Sequence, residues 1–131
     1  MLVLDENLPD GQQQLLRRAR IRFRVVGIEV GASGTQDENL IPLLHRLARP
    51  TFFSLDRDFY RPVWANPNYC LAWLDVTDDR AAEFIRRFLR HPLFDTQAKR
   101  MGKVVRVHTG ALLAWEFGKR VPNSFVWLTS R

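Results

Sequence analysis

Leu2-Val3-Leu4-Asp5-Glu6 begins as a short apolar run and stops on two acids. A continuous apolar run of this length suits a strand buried on both faces, as in a parallel sheet. Pro9 and Asp10 follow as helix-start residues. Leu15, Leu16 and Ala19 then fall on one side of a helix whose other side carries Arg17, Arg18 and Arg20. The same alternation recurs along the chain. Ile21 to Val26 reads as a second strand, and Gly27, Gly31 and Gly34 mark a loop. Leu40, Ile41, Leu43, Leu44 and Leu47 repeat at helical spacing, with Pro42 tolerable only near that helix's start. Thr51-Phe52-Phe53-Ser54-Leu55 is a third strand that closes on Asp56-Arg57-Asp58. Cys70 to Val76 is a fourth and Val104 to Val107 a fifth. Between them Asp78 and Asp79 can cap a helix whose face of Ala82, Ile85, Phe88 and Leu89 is opposed by Arg86, Arg87 and Arg90. Strands alternating with helices predict an α/β domain around a parallel sheet. Ala111 to Phe117 and Phe125 to Leu128, separated by Gly118 and Pro122-Asn123, predict a β-hairpin appended to it.

The length of 131 residues suits one domain, with the acidic motifs in residues 1–60 and the hairpin region in about 104–131. A hydrophobic fraction of 46%, with seven glycines and seven prolines, excludes disordered, collagenous and low-complexity classes. No apolar run approaches the roughly 18 residues of a membrane span, and the first residues lack the basic start and cleavage site of a signal peptide, so a cytoplasmic location is expected. The single cysteine, Cys70, excludes an internal disulfide or multi-cysteine zinc site and reads as a small buried hydrophobe. His45, His91 and His108 have no paired ligand spacing and read as surface or packing residues. The net charge of +6 calls for an anionic partner, either a nucleic acid or an acidic protein.

In open α/β sheets, ligands sit beyond the carboxyl ends of the strands. Acids occupy three such places: Asp5 and Glu6 after the first strand, Asp37 and Glu38 at the helix after the second, and Asp56 and Asp58 after the third. If the strands pair as read, these carboxylates converge and need a cation to stay ionised together. Ligation by oxygen alone suits Mg²⁺ or Mn²⁺. Local roles compete with this reading. Thr35-x-x-Glu38 has the form of a capping box, Asp37 suits any helix start, and Asp56-x-Asp58 can open a turn. Tyr60 and Trp64, in the loop beyond the third strand, can stack an unpaired base or pack beneath the loop.

Asp5-Glu6-Asn7-Leu8-Pro9, then Asp37-Glu38-Asn39-Leu40, then Ser54-Leu55-Asp56-Arg57-Asp58-Phe59 resemble the short PIN-like domains, relatives of PilT N-terminus nucleases. The resemblance covers roughly residues 1–60 and departs from the usual pattern at Ser54-Leu55, where similar domains carry Thr and a basic residue. It implies a three-layer α/β/α fold with a central mostly parallel sheet, and a metal-dependent ribonuclease that is often the toxin half of a toxin–antitoxin pair. Asp5, Asp37, Asp56 and Asp58 would be the catalytic, metal-binding acids around Mg²⁺ or Mn²⁺, with Glu38 a substitute for Asp37. Arg57 and Ser54 would meet the substrate. RNA is the implied partner, with a cognate antitoxin or a second copy of the chain as candidate protein partners. Two rival readings stand beside it. One is a catalytically silent PIN-like module that binds RNA or protein through its basic surface and the apolar hairpin residues Trp115, Phe117, Phe125 and Trp127. The other is a receiver-like phospho-acceptor domain using Asp5-Glu6, Asp56, Thr77 and Lys103.

Overall fold

A computed structural model describes residues 1–27 and 37–127, and only the backbone of Asp37 and Glu38. The expectations for Gly31, Gly34, Thr35 and Leu128 lie outside the described residues. The elements are β1 (Leu2–Leu4), α1 (Asp10–Arg18), β2 (Arg24–Val25), α2 (Asp37–Arg46), β3 (Thr51–Ser54), β4 (Cys70–Asp75), α3 (Ala81–Arg90), α4 (Gln97–Arg100), β5 (Lys103–His108), β6 (Leu112–Glu116) and β7 (Asn123–Phe125). They form an α/β fold with one seven-stranded sheet in the order β2-β1-β3-β4-β5-β6-β7. The first five strands run parallel, while β6 and β7 join antiparallel as a hairpin. Its second strand is Asn123–Phe125 and not the expected Phe125 to Leu128: Asn123, read as a turn residue, pairs with Ala114, while the Val126 carbonyl meets His91 and Trp127 Nε1 donates to the His108 carbonyl instead of continuing the ladder.

Side chains alternate across each strand, so each face of the sheet has its own core. On one face Leu4, Phe53, Ala72, Leu74, Val105 and Val107 pack beneath Leu16 of α1 and Ala82, Phe84, Ile85 and Phe88 of α3. On the other, Val3, Phe52, Leu71 and Val104 pack beneath Leu40 and Leu44 of α2 together with Phe59 and Tyr69. Cys70 is fully buried in the first core, and that burial pushes its thiol pKa up to about 12, so it stays a neutral hydrophobe. Phe125 and Trp127 pack against Phe84, His91 and Phe94, whereas Phe117 is 54% exposed. His91 Nε2 donates to the Val126 carbonyl while Nδ1 accepts from the Leu93 amide, which fixes its tautomer and ties the end of the hairpin to α3.

Three further local features differ from the sequence expectations. The second strand spans only Arg24–Val25, with the Val26 amide still donating to the Leu4 carbonyl at 2.9 Å, because Arg20 and Ile21 close α1 instead. The Arg20 amide donates to the Arg17 carbonyl at 2.9 Å and the Ile21 amide to the Leu16 carbonyl at 3.1 Å, the two bonds of a Schellman ending. Arg20 thereby takes φ 61°, a left-handed conformation that favours glycine. The start of α3 is not capped by Asp78 or Asp79, which lie in a 3₁₀ turn; the Ala82 amide donates to Gln12 Oε1 of α1 at 2.9 Å instead. The short α4, which apolar periodicity does not reveal, carries Arg100, buried and hydrogen-bonded to Thr51 Oγ1 and the Phe94 carbonyl.

Because an L-residue in the left-handed region is strained, replacing Arg20 by Gly is expected to raise stability by about 1 kcal/mol, or Tm by about 3 °C. Thermal unfolding of the two proteins checks this, and an unchanged or lower Tm counts against the assignment.

Candidate functional site

The parallel part of the sheet follows the doubly wound order 2-1-3-4-5, whose strand order reverses between β1 and β3. At such a switch point the loops leaving the two strands part in opposite directions and open a crevice at the carboxyl edge. Asp5 leaves β1 there and Asp56 follows β3. The Asp5 amide still donates to the Phe53 carbonyl at 2.9 Å, which extends the β1–β3 ladder and sets Asp5 level with Ser54.

Ser54 is the hub of this arrangement. Its residue is fully buried, and its Oγ donates to Asp5 Oδ2 at 2.6 Å while accepting from the Asp56 amide at 2.9 Å. Asn7 Nδ2 approaches the same oxygen at 3.4 Å. One hydroxyl thus orients the carboxylate after the first strand and the backbone after the third. Asp56 turns its own Oδ1 to the Asp58 amide at 2.9 Å and so caps the 3₁₀ turn Arg57–Phe59. That turn brings Phe59 under α2 and leaves Arg57 and Asp58 exposed at the rim.

Half-buried Asp5 carries the electrostatic signature of the site. Burial raises its pKa above 3.8, and the nearby charges of Glu6 and Asp56 raise it further, against the opposing Ser54 hydroxyl and Glu6 amide. A carboxylate placed this way is a poor neighbour for other anions and a good one for a cation.

Of the sequence-predicted site residues, the fold joins Asp5, Ser54 and Asp56 through hydrogen bonds and sets Arg57 and Asp58 beside them in sequence on the exposed turn. Asp37 opens α2, but its side chain and that of Glu38 lie outside the described residues. Among the described residues, no three His, Cys, Asp or Glu side chains gather as a metal-holding group. Asn7 was not singled out from the sequence; its place two residues after Asp5 was the available signal. Tyr60 and Trp64 are half-buried: Tyr60 Oη accepts from Trp115 Nε1 at 3.1 Å and its ring lies against Trp73, while Trp64 is covered by the Arg61 guanidinium at 4.4 Å. Lys103, the basic residue of the receiver-like reading, starts β5 at the amino edge, at the other end of the sheet from Asp56.

The raised Asp5 pKa has a sign for stability. The folded protein binds this proton more tightly than the unfolded chain, so stability falls as pH rises from about 3.8 through the folded value. Asp5→Asn removes that fall. Its Tm relative to wild type is therefore expected to be higher at pH 7 than at pH 3.5, in thermal melts without divalent cations; a difference independent of pH would be inconsistent with the buried charge. Ser54→Ala leaves the Asp5 carboxylate and the Asp56 amide without their shared partner and is expected to cost about 1–3 kcal/mol, measurable by urea unfolding. No protein-family model matches the chain, and no curated protein and no solved structure matches it either.

Proposed function

We propose that the chain is a metal-dependent ribonuclease of PIN-like, three-layer type, acting on RNA phosphodiester bonds at the β1/β3 crevice and serving as the toxin of a toxin–antitoxin pair. The observation that carries the reading is the Ser54 hydroxyl bridging Asp5 and the Asp56 backbone at the sheet's switch point. A catalytic carboxylate needs a fixed direction, and a buried hydroxyl donating to one of its oxygens supplies it.

The donors present fit a hard divalent cation. They are carboxylate oxygens, and half-buried Asp5 has a charged form destabilised by burial and by like-charged neighbours. Asp5 and Asp56 are the residues to hold Mg²⁺ or Mn²⁺, with Asp58 and Asp37, or Glu38 in its place, completing the set. When bound, the cation lowers the pKa of a water and offsets the charge that builds on the phosphate. The chain's own groups do the rest: Ser54 keeps Asp5 aimed, Asp56 holds the turn through the Asp58 amide, and exposed Arg57 meets the phosphate beside the acids.

Incubation of a mixed single-stranded and structured RNA pool with Mg²⁺ or Mn²⁺ is expected to give cleavage that chelation stops and that Asp5→Asn and Asp56→Asn reduce to background. Both variants should remain folded by circular dichroism. Cleavage at wild-type rate in either variant would overturn the assignment. No cleavage by wild type, with no rise in Tm on adding Mn²⁺, would favour the silent binding module.

A further inference from the structure

The arginines are not gathered at the acidic crevice. Arg17, Arg20, Arg22 and Arg24 line a concavity of about 900 Å³ together with Met1, Leu2, Ile21 and Phe23, at the amino end of β1. No acid stands among these described lining residues. A second groove of about 450 Å³ between α1 and α3 is lined by Arg18, Arg86, Arg87 and Arg90 over a floor of Leu15, Ala19 and Ala82. A small depression containing Ile21, Ala19, Arg86 and Arg90 links the two, so the cationic surface is continuous. The one carboxylate among its described lining residues, Glu83, is already engaged by Arg80 at 2.8 Å and by Arg87 at 3.8 Å.

Helix dipoles account for part of this. Both helices end at the amino edge, and their last turns favour cations such as Arg17, Arg18, Arg87 and Arg90. They do not account for Arg22 and Arg24, which lie outside any helix, or for Arg20, an arginine standing at a left-handed helix end where glycine is the lower-energy choice. The described rings along this surface are already paired with guanidinium groups. Phe23 lies under the Arg17 guanidinium at 5.0 Å, and Phe84 and Trp127 lie under that of Arg87 at 4.8 and 4.7 Å. A ligand here meets guanidinium groups ahead of aromatic rings, which is the chemistry that grips a phosphate backbone.

We infer that this arginine belt at the amino edge, running from Arg24 to Arg90, is a second binding site that grips the phosphate backbone of a double-helical RNA segment, separate from the acidic crevice. The choice of RNA among polyanions rests on the nuclease reading, whereas the belt itself does not. The helical part of a structured RNA lies along the belt while an unpaired part reaches the crevice at the opposite end of β1.

The test is binding of a fluorescent hairpin RNA to the full chain in EDTA, followed by anisotropy over a series of salt concentrations. Removing one cation that sits on a phosphate lowers the slope of log K against log salt by about one. The triple variant Arg22→Gln, Arg86→Gln, Arg90→Gln is expected to lower the slope by about three. A control triple with the same charge change elsewhere, Arg46→Gln, Lys119→Gln, Arg120→Gln, is expected to change it by less than one. Arg20→Gly is expected to weaken binding while raising Tm, a combination that loss of folding cannot produce. Equal effects of the two triples would overturn the belt as a site, and equal affinity for an unstructured RNA of the same length would overturn the preference for a helix. Absence of salt-dependent binding by wild type would also overturn it and leave an acidic protein segment as the occupant. Because binding is read without metal, a failed belt leaves the cleavage assay standing, and an inert protein with an intact belt leaves the belt standing.

Discussion

Parallel pairing of β1 with β3 is the constraint on which the candidate site depends. A parallel sheet covered on both faces has little room for polar groups except at its edges, and the ladder ends here with a serine that has no solvent exposure. A buried hydroxyl must find partners or cost free energy. Ser54 finds them in the carboxylate that ends β1 and the amide that follows β3, so the demand to satisfy one buried oxygen also fixes the acidic edge of the molecule. The raised pKa of Asp5 is the electrostatic cost of the same burial.

Much of this was legible in the sequence because the relevant patterns are short-ranged. Apolar runs such as Leu2–Leu4 and Thr51–Ser54 mark strands buried on both sides, and their acidic ends mark the carboxyl edge. The existence of an antiparallel hairpin and its first strand also followed from the apolar run Ala111 to Phe117 and the turn residues after it, whereas its second strand came at Asn123–Phe125, before the second apolar run. What was not legible depends on tertiary contact. The cap of α3 comes from Gln12, seventy residues upstream, rather than from the aspartates beside it. The second strand is shorter than Ile21 to Val26 because its first residues serve to end α1. At the site, Asp5 and Asp56 could be named from position, but the role of Ser54 as their common partner needed the register of β1 against β3.

Net charge likewise reports quantity without place. The excess of cations called for an anionic partner without saying where it binds; a continuous run of arginines lies toward the amino ends of β1 and β2 and along α1 and α3. The two ends of one short strand therefore carry opposite potentials. Such separation keeps the arginines of the belt apart from Asp5 and Asp56, and it gives the surface a direction along which a long anionic ligand can be drawn.

The outermost strands of the described sheet have a consequence for assembly. β2 has two ladder residues and begins on exposed Arg24, while β7 has three and begins on exposed Asn123 and Ser124. Short, polar margins of this kind give an incoming backbone few groups to bond and charge it must displace. Copies of this chain are thus poorly suited to joining edge to edge through these described strands into an extended sheet, which leaves helix faces and side chains as the surfaces for self-association.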